Sequence, residues 1–152
     1  MRRPVLITAI VGAIAVFLVL SALLARALSV GGAEDAALTD LMRAEARGNQ
    51  AAVVAAISGC SASSACRARM ATITTALRHP GALQIAEINP SSGFALGSTV
   101  GTARVAWVAG GSLPRVQCVR VQHTGDVLSG FGIRLLRASA RIRSNADCPS
   151  RF

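Results

Sequence analysis

Two rules of hydrophobic patterning divide this chain. Val5 to Ala25 is a run of 21 residues without a charge, rich in Val, Ile, Leu, Ala and Phe. A helix of that length rises roughly 30 Å, the thickness of a bilayer's hydrocarbon core. Arg2 and Arg3 precede the run and Arg26 comes after it, and a positive N-terminal flank holds such a helix with its start in the cytoplasm. The run therefore predicts a cytoplasmic N-terminus over residues 1–4 and a transmembrane signal anchor over 5–27. A short Gly31-Gly32 link over 28–33 would lead to an extracytoplasmic domain over 34–152. Ala25-Arg26-Ala27 also fits a small-x-small cleavage site, so the alternative is a protein secreted after cleavage near Ala27. Both readings put residues 28–152 outside the cytoplasm.

From Glu34 the period becomes helical. Leu38, Leu41, Met42 and Glu45-Ala46 recur at three-and-four spacing, which predicts a helix over Glu34–Arg47 with the acids Glu34 and Asp35 in its first turn. Gly48 stops it, Asn49 can cap a second helix over Gln50–Ile57, and Ser58-Gly59 ends that one. Met70, Ile73, Thr74 and Leu77 predict a third over Ser64–Arg78, terminated by His79-Pro80-Gly81. Alternation then takes over. Strands are expected over Ala82–Asn89, Thr99–Ala109, Leu113–His123 and Leu128–Arg143, with turns at Gly110-Gly111 and Thr124-Gly125-Asp126. The last strand should carry a bulge near Gly130–Gly132 or Leu135-Leu136, where the alternation slips. Three helices packed on a four-stranded antiparallel meander make an α+β domain behind an N-terminal transmembrane helix, with the helices on one face of the sheet.

Two stretches carry a family resemblance. ARGNQAAVVAAI is similar to the second-helix region, and GTARVAWVAG with VQCVRVQ to the paired central strands, of nuclear-transport-factor-two-like domains, also called cystatin-like or polyketide-cyclase-like. The resemblance spans residues 33–144 and implies a cone-like roll. Such domains stand behind a single N-terminal span in many bacterial envelope proteins, including the inner-membrane scaffold subunit of type IV secretion systems. Enzymes of the family place Asp, His and Tyr inside the cone. This chain has no Tyr, and neither Asp126 nor Asp147 lies mid-strand, so the family's catalysis is not carried over.

Cysteine usage agrees with export. Cys60, Cys66, Cys118 and Cys148 are an even set, and outside the cytoplasm they should form two bridges. Cys60–Cys66 and Cys118–Cys148 are the favoured pairs among three possible pairings. The first is close in sequence at a helix start, and the second pins the C-terminal tail to a strand. No CxxC spacing points to zinc. Neither a metal nor a cofactor is expected.

Charge changes the picture most. All 16 basic residues are Arg, the net charge is +9, and the sequence pI is about 11.5. Arginine without lysine in an Ala-rich chain reflects in part a GC-rich genome. The excess is also lopsided: residues 100–152 carry eight Arg against Asp126 and Asp147, whereas residues 27–99 balance five against five. Period-two alternation places Arg137, Ser139, Arg141 and Arg143 on one face of the last strand, with Arg104 and Arg120 outward on their own. Arg104, Arg120, Arg137, Arg141 and Arg143 are thus expected to form one exposed patch. Its partner would be an anionic lipid surface, a wall polymer or an acidic envelope protein. Few aromatics and an extracytoplasmic site argue against nucleic acid.

Trp107 and Val105 alternate toward the helices and, with Phe94, Leu96 and Phe131, could line an apolar pocket. His79 precedes Pro80 at a helix end and His123 closes a strand, with no carboxylate or nucleophile paired to either by spacing. The sequence therefore points to a non-enzymatic, membrane-anchored envelope protein that binds or scaffolds. A small-hydrophobic-ligand carrier is the alternative, and an enzyme of the cyclase or isomerase kind the third reading.

Overall fold

A computed structural model describes residues 2–91, 98–126 and 130–152, without the side chains of 2–6, 8, 9, 26–30, 126, 130 and 131. Among these, the chain forms α1 (Arg2–Ala46), α2 (Gln50–Ala56), α3 (Ser64–Leu77), β1 (Leu83–Asn89), β2 (Thr99–Ala109), β3 (Arg115–Asp126) and β4 (Gly130–Ala138). The strands form one antiparallel sheet in the order β1-β2-β3-β4. The α+β meander is as the alternation predicts.

The transmembrane helix is not. Among the described residues no helix is long and apolar enough to cross a membrane. Instead of a separate span, a link and a domain helix, α1 is a single helix of 45 residues running through 28–33. Gly31 and Gly32 lie inside it, and a Cβ at either would meet nothing within 4 Å. Residues 10–25 are the part of the apolar run whose side chains are described without a break. Its large side chains, Phe17 and Leu24 among them, are exposed.

The C-terminal end of α1 behaves as its period requires. Leu38, Leu41 and Met42 are fully buried, joined by Val53 of α2, by Met70, Ile73 and Leu77 of α3, and by Ala103, Val105, Trp107, Val119, Val121 and Leu135 of the sheet. Asn49 caps α2 by accepting from the Ala52 amide at 3.1 Å. Ser63 does the same for α3 at Cys66, at 3.2 Å. The chain then turns at Pro80-Gly81, where Gly81 and Gly110 approach so closely that a Cβ on Gly110 would stand 2.2 Å from the Pro80 oxygen. Both glycines have positive φ, a conformation L side chains avoid.

Two register shifts shape the sheet. One lies in β1 between Ile85 and Glu87, and the other opposes Arg120 and Val121 to Arg137 and Leu135. The second leaves Leu136 without a partner, at one of the two positions where the alternation slips. β4 ends at Ala138, five residues before the expected end. There the Ser139 side chain takes the place of regular pairing: its hydroxyl accepts from the Cys118 amide at 2.9 Å while its own amide donates to the Cys118 carbonyl. Beyond it lies an isolated bridge between Val116 and Ile142. At the other end of the helical layer, Ile57 and Ser58 reach Leu135 and cover part of the free edge of β4.

Candidate functional site

Directly paired residues of an antiparallel sheet share a face. Thr102 pairs with Arg120 and Arg120 with Arg137, while Arg104 pairs with Cys118, two residues from Arg120. Arg104, Arg120 and Arg137 therefore stand on one face, opposite the face that packs on the helices. Arg134 joins them through its pairing with Gln122. Arg141 and Arg143 are exposed but lie past the end of β4, and Ser139 is buried rather than outward. Of the expected five residues, three thus align on the sheet, where Arg134 makes a fourth, and the other two lie on the segment leaving it.

The C-terminal tail, residues 144–152, crosses this face. Arg104 donates to the Ser144 carbonyl and, at 3.4 Å, to that of Ala146. Arg120 donates to Ser150 at 3.3 Å and Arg137 to Phe152 at 3.1 Å. Arg104 also lies 3.6 Å from Glu87 on β1. Cys148 is bridged to Cys118 at the centre of the face, with a Cα separation of 5.7 Å. Cys60 and Cys66 form the other bridge, at 5.2 Å, so both favoured pairings are present. Bridges of this kind persist in oxidising compartments. The protein is accordingly one of an extracytoplasmic environment.

The inner face holds polar groups that charge counting passes over. Trp107 is fully buried and its Nε1 donates to Gln117 Oε1 at 2.9 Å; Gln117 Nε2 donates in turn to the Ser139 carbonyl at 3.1 Å. Glu45 is also fully buried, and neither of its carboxyl oxygens closes a hydrogen bond. Burial pushes its pKa up to about 7, only partly offset by Gln117. The Gln117 amide favours the ionised form, but its close hydrogen bonds go to Trp107 and Ser139, which leaves the carboxyl unpartnered. Beside this group the Arg115 guanidinium lies 5.5 Å from the Trp107 ring and donates to His79 Nδ1 at 3.1 Å.

His123 has a carboxylate after all. Its Nε2 lies 2.7 Å from Glu34 Oε2, and Glu34 Oε1 accepts from the Ser91 amide at 2.8 Å. The Ser91 hydroxyl lies 3.4 Å from the same His123 nitrogen. A nucleophile relay needs its hydroxyl and its carboxylate on different ring nitrogens. Here both meet one. Glu34, 2 % exposed, instead clamps α1 to the end of β1 and to β3. Ser91 is held against Gly101, where a Cβ would stand 2.0 Å from its carbonyl oxygen.

Spacing along the sequence could not pair residues 34 and 123, but one signal was present. Glu34, Leu38, Leu41 and Glu45 share one stripe of α1, so two acids sit where apolar side chains are expected. Val105 and Trp107 face the helices as anticipated and are buried, whereas Phe94, Leu96 and the Phe131 side chain lie outside the described residues. Among the described residues no group of three or more His, Cys, Asp or Glu could hold a metal ion.

No family model, curated protein or solved structure matches this chain.

Proposed function

We propose that this is a non-enzymatic, extracytoplasmic protein of the cell envelope whose domain binds or scaffolds an anionic partner through the outer face of its sheet. The observation that carries this reading is the register that aligns Arg104, Arg120 and Arg137 across β2, β3 and β4. Aligned guanidinium groups give each phosphate or carboxylate several donors, and basic groups near an anionic bilayer gain about 1 kcal/mol each. The helices-on-meander layering supports a cone-like roll of the nuclear-transport-factor-two-like kind over residues 33–144. Its interior favours a scaffold over a carrier, because Trp107, Val105, Leu38, Leu41 and Val53 are all fully buried. Among the described side chains of α1, full burial begins at Glu34, so cleavage of an export leader near Ala27 would leave the described core intact.

Vesicle co-sedimentation tests the reading. Full-length protein should bind vesicles containing phosphatidylglycerol more tightly than phosphatidylcholine vesicles, and 0.5 M salt should remove the difference, since screening shortens to a few ångströms. Arg120→Gln with Arg137→Gln should reduce the anionic preference about thirtyfold, matching roughly 2 kcal/mol for the two groups. An anionic preference unchanged by both substitutions, with the disulfides intact and after their reduction, would exclude this face.

A further inference from the structure

We propose that the tail, residues 144–152, is a displaceable strap over the basic face, and that reductive opening of Cys118–Cys148 hands Arg104, Arg120 and Arg137 to an anionic lipid surface. This inference rests on the function proposed above and adds its regulation. In the bridged protein each of the three guanidinium groups donates to tail carbonyls, at Ser144, Ala146, Ser150 and Phe152, and Arg104 also lies 3.6 Å from Glu87. The tail has no helix or strand of its own, and Asn145, Asp147, Pro149, Ser150 and Arg151 are exposed. Hydrogen bonds of this kind, open to water, contribute little each because water replaces them. The covalent link supplies the rest, since it holds the tail at the face over a sequence separation of 30 residues and suppresses the alternative loop conformations.

The bridge is built asymmetrically. Cys118 is fully buried beneath the face, whereas Cys148 is partly exposed. A dithiol reductant would therefore attack the Cys148 sulfur. The S–S bond breaks, Cys118 leaves as a thiolate and takes a proton, and a mixed disulfide forms on Cys148. The second reductant thiol then displaces Cys148 as its thiol, so two electrons and two protons pass to the protein and the reductant leaves as its own disulfide. The other bridge lacks this consequence. Cys60–Cys66 closes a separation of 6 residues between α2 and α3, in the helical layer on the opposite side of the sheet from the three Arg.

The test measures the ratio of binding to phosphatidylglycerol-containing over phosphatidylcholine vesicles, using the full chain. Four forms are compared: wild type, Cys118→Ser with Cys148→Ser, Arg120→Gln with Arg137→Gln, and all four substitutions together. Near-ultraviolet circular dichroism of Trp107 reports that the core survives. If the cysteine-pair variant misfolds, wild type before and after dithiothreitol, then reoxidised, replaces it, with Cys60→Ser plus Cys66→Ser as the control for the second bridge, which dithiothreitol also opens. The proposal expects about a tenfold rise in the ratio on losing the bridge, reversed by reoxidation and absent in the fourfold variant. An unchanged ratio on losing the bridge, with the two Arg substitutions still lowering it in wild type, overturns the strap and leaves the binding face standing. A ratio that never depends on the two Arg overturns both.

Discussion

The two ends of α1 make an instructive pair. Residues 10–25 are apolar on every side and their large side chains are exposed, while the turns from Glu34 to Ala46 alternate and bury one stripe completely. Hydrophobicity alone does not bury a helix. A stripe with polar neighbours gives the sheet one face to pack against and leaves the rest in water, whereas an all-round apolar surface specifies no direction. The buried end even accommodates Glu34 and Glu45, because the stripe around them supplies enough apolar area to hold the helix in place.

Substitution should break the symmetry between the ends most severely in the stripe. Leu41→Ala removes a fully buried side chain and should cost about 4 kcal/mol in urea unfolding, the usual range for a cavity in a well-packed core. The second effect belongs to Glu45. Its folded-state pKa of about 7 lies above the ordinary value of 4.5, so the folded state holds a proton that the unfolded chain gives up. This group contributes no penalty below pH 4.5, a growing one as pH rises to 7, and a constant one of about 3 kcal/mol beyond. Glu45→Gln should therefore stabilise the protein by up to that amount at pH 8 and leave stability unchanged at pH 4, as read from thermal unfolding across pH.

Smaller still is Glu34→Gln, which replaces a charge-assisted clamp to His123 and Ser91 and should cost about 2 kcal/mol in the same assay. Phe17→Ala at the exposed end should shift stability by less than about 0.5 kcal/mol. A Phe17→Ala cost approaching that of Leu41→Ala would show that the apolar end is packed against something, and the contrast between the two ends would fail.

Local rules made the domain readable where they act locally. Asn49 as a cap, Pro80 as a helix stop, the four strands and the nearby Cys60–Cys66 pair all derive from neighbours within a few residues. The Leu136 slip was also visible in the alternation, although the end of the strand at Ala138 was not. Arg141 and Arg143 consequently left the expected patch. The Glu34–His123 pair spans 89 positions and depends on how α1 lies across the sheet, which no period encodes. Cys118 and Cys148 did announce a tail pinned to a strand, but its bonding to the arginines escaped, because side chains bonding to backbone carbonyls leave no mark on residue identity. In the N-terminal run, length and charge described a span, yet α1 continues unbroken through 28–33 into the domain.

Arginine side-chain resonances test the division of the molecule most directly. Adding anionic lipid nanodiscs to the isotope-labelled protein with Cys118→Ser and Cys148→Ser should shift the guanidinium signals of Arg104, Arg120 and Arg137, and leave Arg67 and Arg69 on α3 unchanged. Shifts confined to the α3 arginines would place the docking surface on the helices and contradict the account.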